Sequence, residues 1–159
     1  MLKPTADEIA AFRYYTGLGY LRINARLRGD AQPDAQLEGA IERLDSALEK
    51  STLKSDMVVF RGFPRWYSEY MRRTGIAVGS ILYDDAFLST STSEEVSKAF
   101  AEWPDGLLIR IVIPKGSKAM DLSPYSTKPD EKEILLPRGT GLRIVRYDRQ
   151  AKVLDAEVV

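Results

Sequence analysis

The chain has 159 residues, 44% of them hydrophobic and 29% charged, with Lys plus Arg and Asp plus Glu both at 23. That length allows one domain with a real core. The zero formal charge gives no bulk attraction to nucleic acid or to an anionic membrane. Neither cysteine nor histidine occurs, which removes disulfides, thiolate nucleophiles, Ser-His-Asp catalysis and His- or Cys-ligated metals. Any enzyme built on this chain must work with carboxylates, arginine, hydroxyls and backbone groups. No metal is expected.

In chain order, Thr5-x-x-Glu8 is a capping box and predicts a helix over residues 5–15, broken by Gly17 and Gly19. Tyr20, Ile23 and Leu27 recur at helical spacing up to a stop at Gly29. After a linker over residues 30–33, Leu37, Ile41, Leu44 and Leu48 with Ala40 and Ala47 form an amphipathic stripe. Residues 57–62 read as a strand, 64–73 as a helix stopped by Gly75, and 86–91 as a second strand. Of Arg61, Arg65, Arg72 and Arg73, the last three are expected on a solvated helix face. Thr92-x-x-Glu95 predicts another capped helix to about residue 101. Further strands are expected over 107–113, 119–122, 133–136, 142–147 and 153–159, with a hairpin turn at 148–152. A polar, proline-marked loop covers 123–130. Helices first and strands later argue for an α+β fold, with a helical part over 1–50 and a β-rich core over 55–159 of one domain spanning 1–159. No run approaches the roughly twenty apolar residues of a membrane span. The start of the chain lacks the apolar core of a cleavable signal peptide.

Three stations carry candidate chemistry. Arg61 ends an apolar strand and precedes Gly62; its planar fork suits a diphosphate, and glycine permits a sharp turn or a close approach. Ser89, Thr90 and Ser91 follow an apolar strand, and alternation puts the two serines on one face and Thr90 on the other. Glu131 and Glu133 flank Lys132 before an apolar run. Two apart on a strand, they share a face at roughly 6.5–7 Å, so both carboxylates can enter one cleft. Singly, each station reads as well or better as a surface arginine, a strand end or a solvated charge run.

Their order changes the weighing. Val59-Phe60-Arg61-Gly62, then Phe87-Leu88-Ser89-Thr90-Ser91, then Glu131-Lys132-Glu133-Ile134-Leu135-Leu136-Pro137-x-Gly139 resemble the core motifs of the arginine-type mono-ADP-ribosyltransferases. Tyr15-Thr16-Gly17, Tyr20, Ile23-Asn24 and Leu27-Arg28 are similar to that family's first helical segment. The resemblance implies two small packed antiparallel sheets with helices alongside and NAD in a cleft. NAD is the implied co-substrate. Carried over, Arg61 would hold the NAD phosphates and Gly62 would bring the backbone near the nicotinamide. Ser89 would support the ribose, with Thr90 and Ser91 beside it. Glu133 would bind the ribose hydroxyl and stabilise the developing cation. Glu131 would activate the acceptor, which the resemblance makes a protein arginine. Tyr125, on the 123–130 loop, would contact that acceptor. An effector-like protein, secreted or injected into a target cell and acting in its cytoplasm, is implied, and a monomer is expected. An accompanying immunity or activator protein is left open. Two other readings stand beside this one: an NAD glycohydrolase, and a non-catalytic module of transferase-like fold.

Overall fold

A computed structural model describes residues 3–66, 69, 73 and 76–159. The expected helix over 64–73 and its stop at Gly75 lie largely outside the described residues, as does Arg72. Within them, Arg65 and Arg73 are exposed, as expected for a solvated face.

The chain opens with α1 (Ala6–Tyr14), whose N-cap Thr5 accepts the Glu8 amide. The expected break at Gly17 and Gly19 takes the form of a kink within Tyr15–Gly19, where Gly17 leaves helical geometry at φ −79°, ψ −113°. Glycine tolerates that backbone, so the chain runs on without a loop into α2 (Tyr20–Leu27). Gly29, at φ 85°, ends this segment. Asp34 then caps α3 (Ala35–Glu49) by accepting the Leu37 amide. All six residues of the α3 stripe are buried.

Eight strands follow among the described residues: β1 (Met57–Phe63), β2 (Ile81–Tyr83), β3 (Leu88–Ser91), β4 (Leu107–Ile113), β5 (Met120–Asp121), β6 (Glu133–Leu136), β7 (Gly141–Asp148) and β8 (Val153–Val158). Between β3 and β4 lies α4 (Glu94–Phe100). Its cap is Ser93, one residue beyond the expected Thr92, because the Ser93 side chain accepts the Val96 amide. β2 was not foreseen. It is a three-residue edge strand, too short for its alternation to register.

The strands hydrogen-bond in the order β2-β7-β8-β4-β1-β3-β6-β5. The expected pair of packed sheets is therefore one sheet folded on itself. A five-stranded part (β2-β7-β8-β4-β1) meets a three-stranded part (β3-β6-β5) through the pair Phe60↔Ser91. Nor is it wholly antiparallel, since β4 and β8 run parallel.

Alternation along β6 assigns the two cores. Ile134 and Leu136 face a core between the two parts of the sheet, with Leu88, Val59, Ile109, Ile111, Leu154 and Ala156. Leu135 turns the other way, into a second core with Phe87, Met120 and the helical residues Phe12, Tyr15, Ile23, Leu44 and Leu48. Each fully buried Leu or Ile contributes about 1.5–3 kcal/mol. The consequence for function is that Glu133, in phase with Leu135, looks toward the helices.

Candidate active site

The site lies where the two parts of the sheet join. Phe60, Ser91 and Glu133 form one row across β1, β3 and β6, through the pairs Phe60↔Ser91 and Ser91↔Glu133. Ser89, two residues before Ser91, shares its face and sits diagonal to Glu133. The helical layer closes the other side. The result is a cleft of about 430 Å³, within the usual range for small-molecule sites.

Glu133 is 8% exposed. Burial pushes its pKa up from 4.5 to about 7 against the Ser89 hydrogen bond; the Glu131 charge adds to the rise and Arg61 opposes it. Such a carboxyl has little water to hold its charge and is poised to favour a cation placed beside it.

A chain of hydrogen bonds fixes the Ser89 hydroxyl. The Phe87 amide donates to Asn24 Oδ1 at 3.3 Å, which orients the Asn24 amide. Asn24 Nδ2 then donates to the Tyr15 hydroxyl at 3.2 Å. Tyr15 Oη lies 2.7 Å from Ser89 Oγ. Ser89 has one proton and gives it to the Glu133 carboxylate, which can only accept, so with Glu133 ionised the Tyr15 hydroxyl donates to Ser89. Burial, then the Glu133 charge, raises the Tyr15 pKa to about 12, so this link stays a donor.

Arg61 belongs to the interior of β1 and not to its end, for the strand runs on to Phe63. Its Nη1 donates to the Ser89 carbonyl at 2.7 Å, and its guanidinium lies 5.0 Å from the Phe63 ring centre. Gly62 makes no turn; it pairs with Leu108 in the β1–β4 ladder. The reason for glycine is steric: a Cβ there would sit 2.0 Å from the Ser97 carbonyl oxygen and 2.7 Å from the Ala101 amide. The close approach is to α4, which packs on β1 at the cleft.

Ser91 and Thr90 border the cleft with their hydroxyls engaged: Ser91 donates to the Glu131 carbonyl and Thr90 to the Ile134 carbonyl, each at 2.7 Å. Glu131 reaches the cleft by another route than strand alternation. It closes a 3₁₀ turn, Pro129–Glu131, and Lys132 follows at φ 48° in the left-handed region. That turn of the backbone brings both acids to the cleft and leaves Lys132 exposed. Tyr125 is not among the residues that line the cleft; its ring packs on Phe12 with centroids 5.5 Å apart, in the loop whose Lys128 does line it.

Sequence reasoning gave no individual role to Tyr15, Asn24 or Arg28. Tyr20, Asn24 and Arg28 stand four apart, a polar stripe on α2 and its end that could have marked a lining face. Arg28 donates to both Asp84 carboxylate oxygens, at 3.0 and 2.7 Å. Burial alone would raise the Asp84 pKa; the Arg28 bond and the Ala86 amide outweigh it and hold that carboxyl below its usual value. Among the described residues, no group of three or more acids could hold a metal ion. No helix among them is long and apolar enough to cross a membrane.

Arg61, the hydroxyl chain through Ser89, buried Glu133 and Glu131 thus line one cleft. Residues 1–157 match the family model of the ADP-ribosyltransferase exoenzymes. The chain belongs to that family. Mav of Mycobacterium avium strain 104, a candidate NAD(+)–arginine ADP-ribosyltransferase, is 35% identical to it over 142 residues, covering 88% of this chain and 16% of Mav. The ADP-ribosyltransferase toxin Plx2a from Paenibacillus larvae superposes with a TM-score of 0.80 at 26% identity, covering 98% of this chain and 87% of that structure. Exoenzyme S from Pseudomonas aeruginosa, solved with human 14-3-3 protein beta and bound to Carba-NAD, gives a TM-score of 0.78 at 25% identity, covering 98% and 74%. The chain spans 16–28% of the length of the curated relatives it matches.

Proposed function

We propose that this chain is an NAD-dependent mono-ADP-ribosyltransferase that modifies an arginine side chain of a target protein. The observation that carries the reading is Glu133: a buried carboxyl with a pKa near 7, hydrogen-bonded by Ser89, in a cleft that also holds Arg61.

Each group has a task in one substitution. Arg61 offers a guanidinium to the NAD diphosphate, with its Nη1 already fixed on the Ser89 carbonyl. The aromatic and aliphatic side chains of Phe60, Tyr20, Leu21 and Phe100 supply apolar walls. Glu133 stabilises positive charge as it develops on the ribose at C1′, while the bond from C1′ to the nicotinamide nitrogen breaks and nicotinamide leaves with the electron pair. Glu131 binds the incoming guanidinium and takes its proton as the new C1′–N bond forms. Without that acid an arginine stays protonated and unreactive. Ser89, Tyr15 and Asn24 hold Glu133 at its angle, which lowers the reorganisation needed at the moment of reaction.

Arginine as acceptor is supported by Glu131 at the cleft and by the name of the Mycobacterium avium relative. Delivery into a target cell as an effector is supported by the toxin and exoenzyme names among the relatives. The test is incubation with adenylate-labelled NAD and a target-cell lysate, followed by mass spectrometry of the labelled proteins. ADP-ribose on arginine is the expected result. Label recovered only as free ADP-ribose would favour an NAD glycohydrolase instead, and label on another residue type would refute the acceptor assignment.

A further inference from the structure

Tyr15 and Thr16, adjacent in sequence just before the kink at Gly17, reach two different parts of the site. Tyr15 reaches Ser89, on the Glu133 side. Thr16, 5% exposed, turns to the loop between β5 and β6. Its hydroxyl donates to the Phe12 carbonyl at 2.8 Å and accepts the Thr127 amide at 3.1 Å, with Thr127 Oγ1 3.4 Å away.

That loop carries Glu131. Its ends are closed near the strands: the Leu122 amide donates to the Glu133 carbonyl at 3.0 Å, Ser91 Oγ to the Glu131 carbonyl at 2.7 Å, and the Thr92 amide to the Lys132 carbonyl at 3.2 Å. Between those ends the loop meets the helical layer at Thr127 on Thr16 and at Tyr125 on Phe12. Thr127 itself is exposed. Loss of its bond to Thr16 would let the amide turn to water at little cost to the fold and free the segment leading to Glu131.

We infer that Thr16 is a positioning residue for the acceptor step: by accepting the Thr127 amide it sets where Glu131 meets the incoming guanidinium, and so sets the partition of NAD between transfer and hydrolysis. This rests on the reading of Glu131 as the acceptor-side base. The donor bond to Phe12 does not account for the geometry. A helical threonine makes that bond to the carbonyl four residues back wherever it sits. The second lone pair, aimed at Thr127, is what ties helix to loop.

Thr16→Val keeps the branched shape and removes both polar contacts; Thr16→Ser keeps the hydroxyl. With agmatine as a small guanidine acceptor, the ratio of ADP-ribosyl-agmatine formed to NAD hydrolysed should fall about tenfold in Thr16→Val and return to within about twofold of wild type in Thr16→Ser, the tenfold being the kinetic equivalent of one hydrogen bond. Exchange of the Thr127 backbone amide, followed by NMR, should quicken by a similar factor in Thr16→Val alone. An unchanged ratio overturns the inference, whether or not exchange quickens. So does a parallel loss of transfer and hydrolysis together with a lower melting temperature, which would make Thr16 a packing residue. Failure of the acceptor reading itself would show differently, as wild-type protein that hydrolyses NAD and modifies no guanidine. Thr127 exchange then decides alone: unchanged exchange overturns the hold of Thr16 on the loop, and faster exchange supports it.

Discussion

Replacing Glu133 by Gln should stabilise the protein while destroying its activity. The folded state raises the Glu133 pKa from 4.5 to about 7. Folded Glu133 therefore binds its proton more tightly than the unfolded chain does. Its ionisation opposes folding by an amount that is absent below about pH 4, grows through the interval between those two values and is complete above it. At about 1.36 kcal/mol per pKa unit, the penalty is roughly 3 kcal/mol at pH 8 and roughly 1 kcal/mol at pH 5.5. Gln keeps the volume and an acceptor for Ser89 and carries no charge. Glu133→Gln should thus gain roughly 3 kcal/mol at pH 8, or on the order of 6–12 °C in melting temperature for a chain of this size, and about a third of that at pH 5.5. Urea unfolding and differential scanning calorimetry of both proteins at the two pH values measure it. A gain that is the same at both pH values, or a loss at pH 8, would refute burial of the charge as the origin of the raised pKa.

Three more consequences can be checked. If Glu133 stabilises the cation as proposed, the same titration should govern catalysis: kcat/KM for NAD should rise with pH to a plateau, with its midpoint near 7 in the free enzyme, and a profile flat from pH 5 to 8 would contradict this. Gly62→Ala must displace α4, since its Cβ would lie 2.0 Å from the Ser97 carbonyl oxygen; a loss of about 3 kcal/mol by chemical unfolding is expected, and a neutral substitution would refute the close packing. Tyr15→Phe removes the link between Asn24 and Ser89 at a site 1% exposed; it should lower stability by about 1–3 kcal/mol and NAD hydrolysis about tenfold, measured by unfolding and by nicotinamide release.

How far the sequence disclosed this site depended on the range of the interactions. Apolar period and caps are local, and the α3 stripe, the Thr5 cap and β6 were all legible from neighbours within a turn or two. Motif order brought Arg61, Ser89, Glu131 and Glu133 to attention, and the structure brings all four to one cleft. What stayed hidden was either long-range or contrary to local preference. The Tyr15–Ser89 bond joins residues 74 apart, and no periodicity signals it. Lysine seldom takes a positive φ, so Lys132 gave no warning that Glu131 leaves the strand. The sequence could not decide between the sharp turn and the close approach that Gly62 permits, because the helix that crowds it comes more than thirty residues later. The packing of the Tyr125 ring on Phe12 joins residues more than a hundred apart, and the polar loop around Tyr125 gave no sign of it.

The most direct test of the division between the two acids is a single side-by-side assay of wild type, Glu133→Gln and Glu131→Gln. It follows nicotinamide release and ADP-ribosyl-agmatine from the same reaction. Wild type should give both products. Glu133→Gln should give neither, and Glu131→Gln should release nicotinamide while forming little or no adduct. Equal loss of both products in Glu131→Gln, or wild-type activity in Glu133→Gln, would contradict the account.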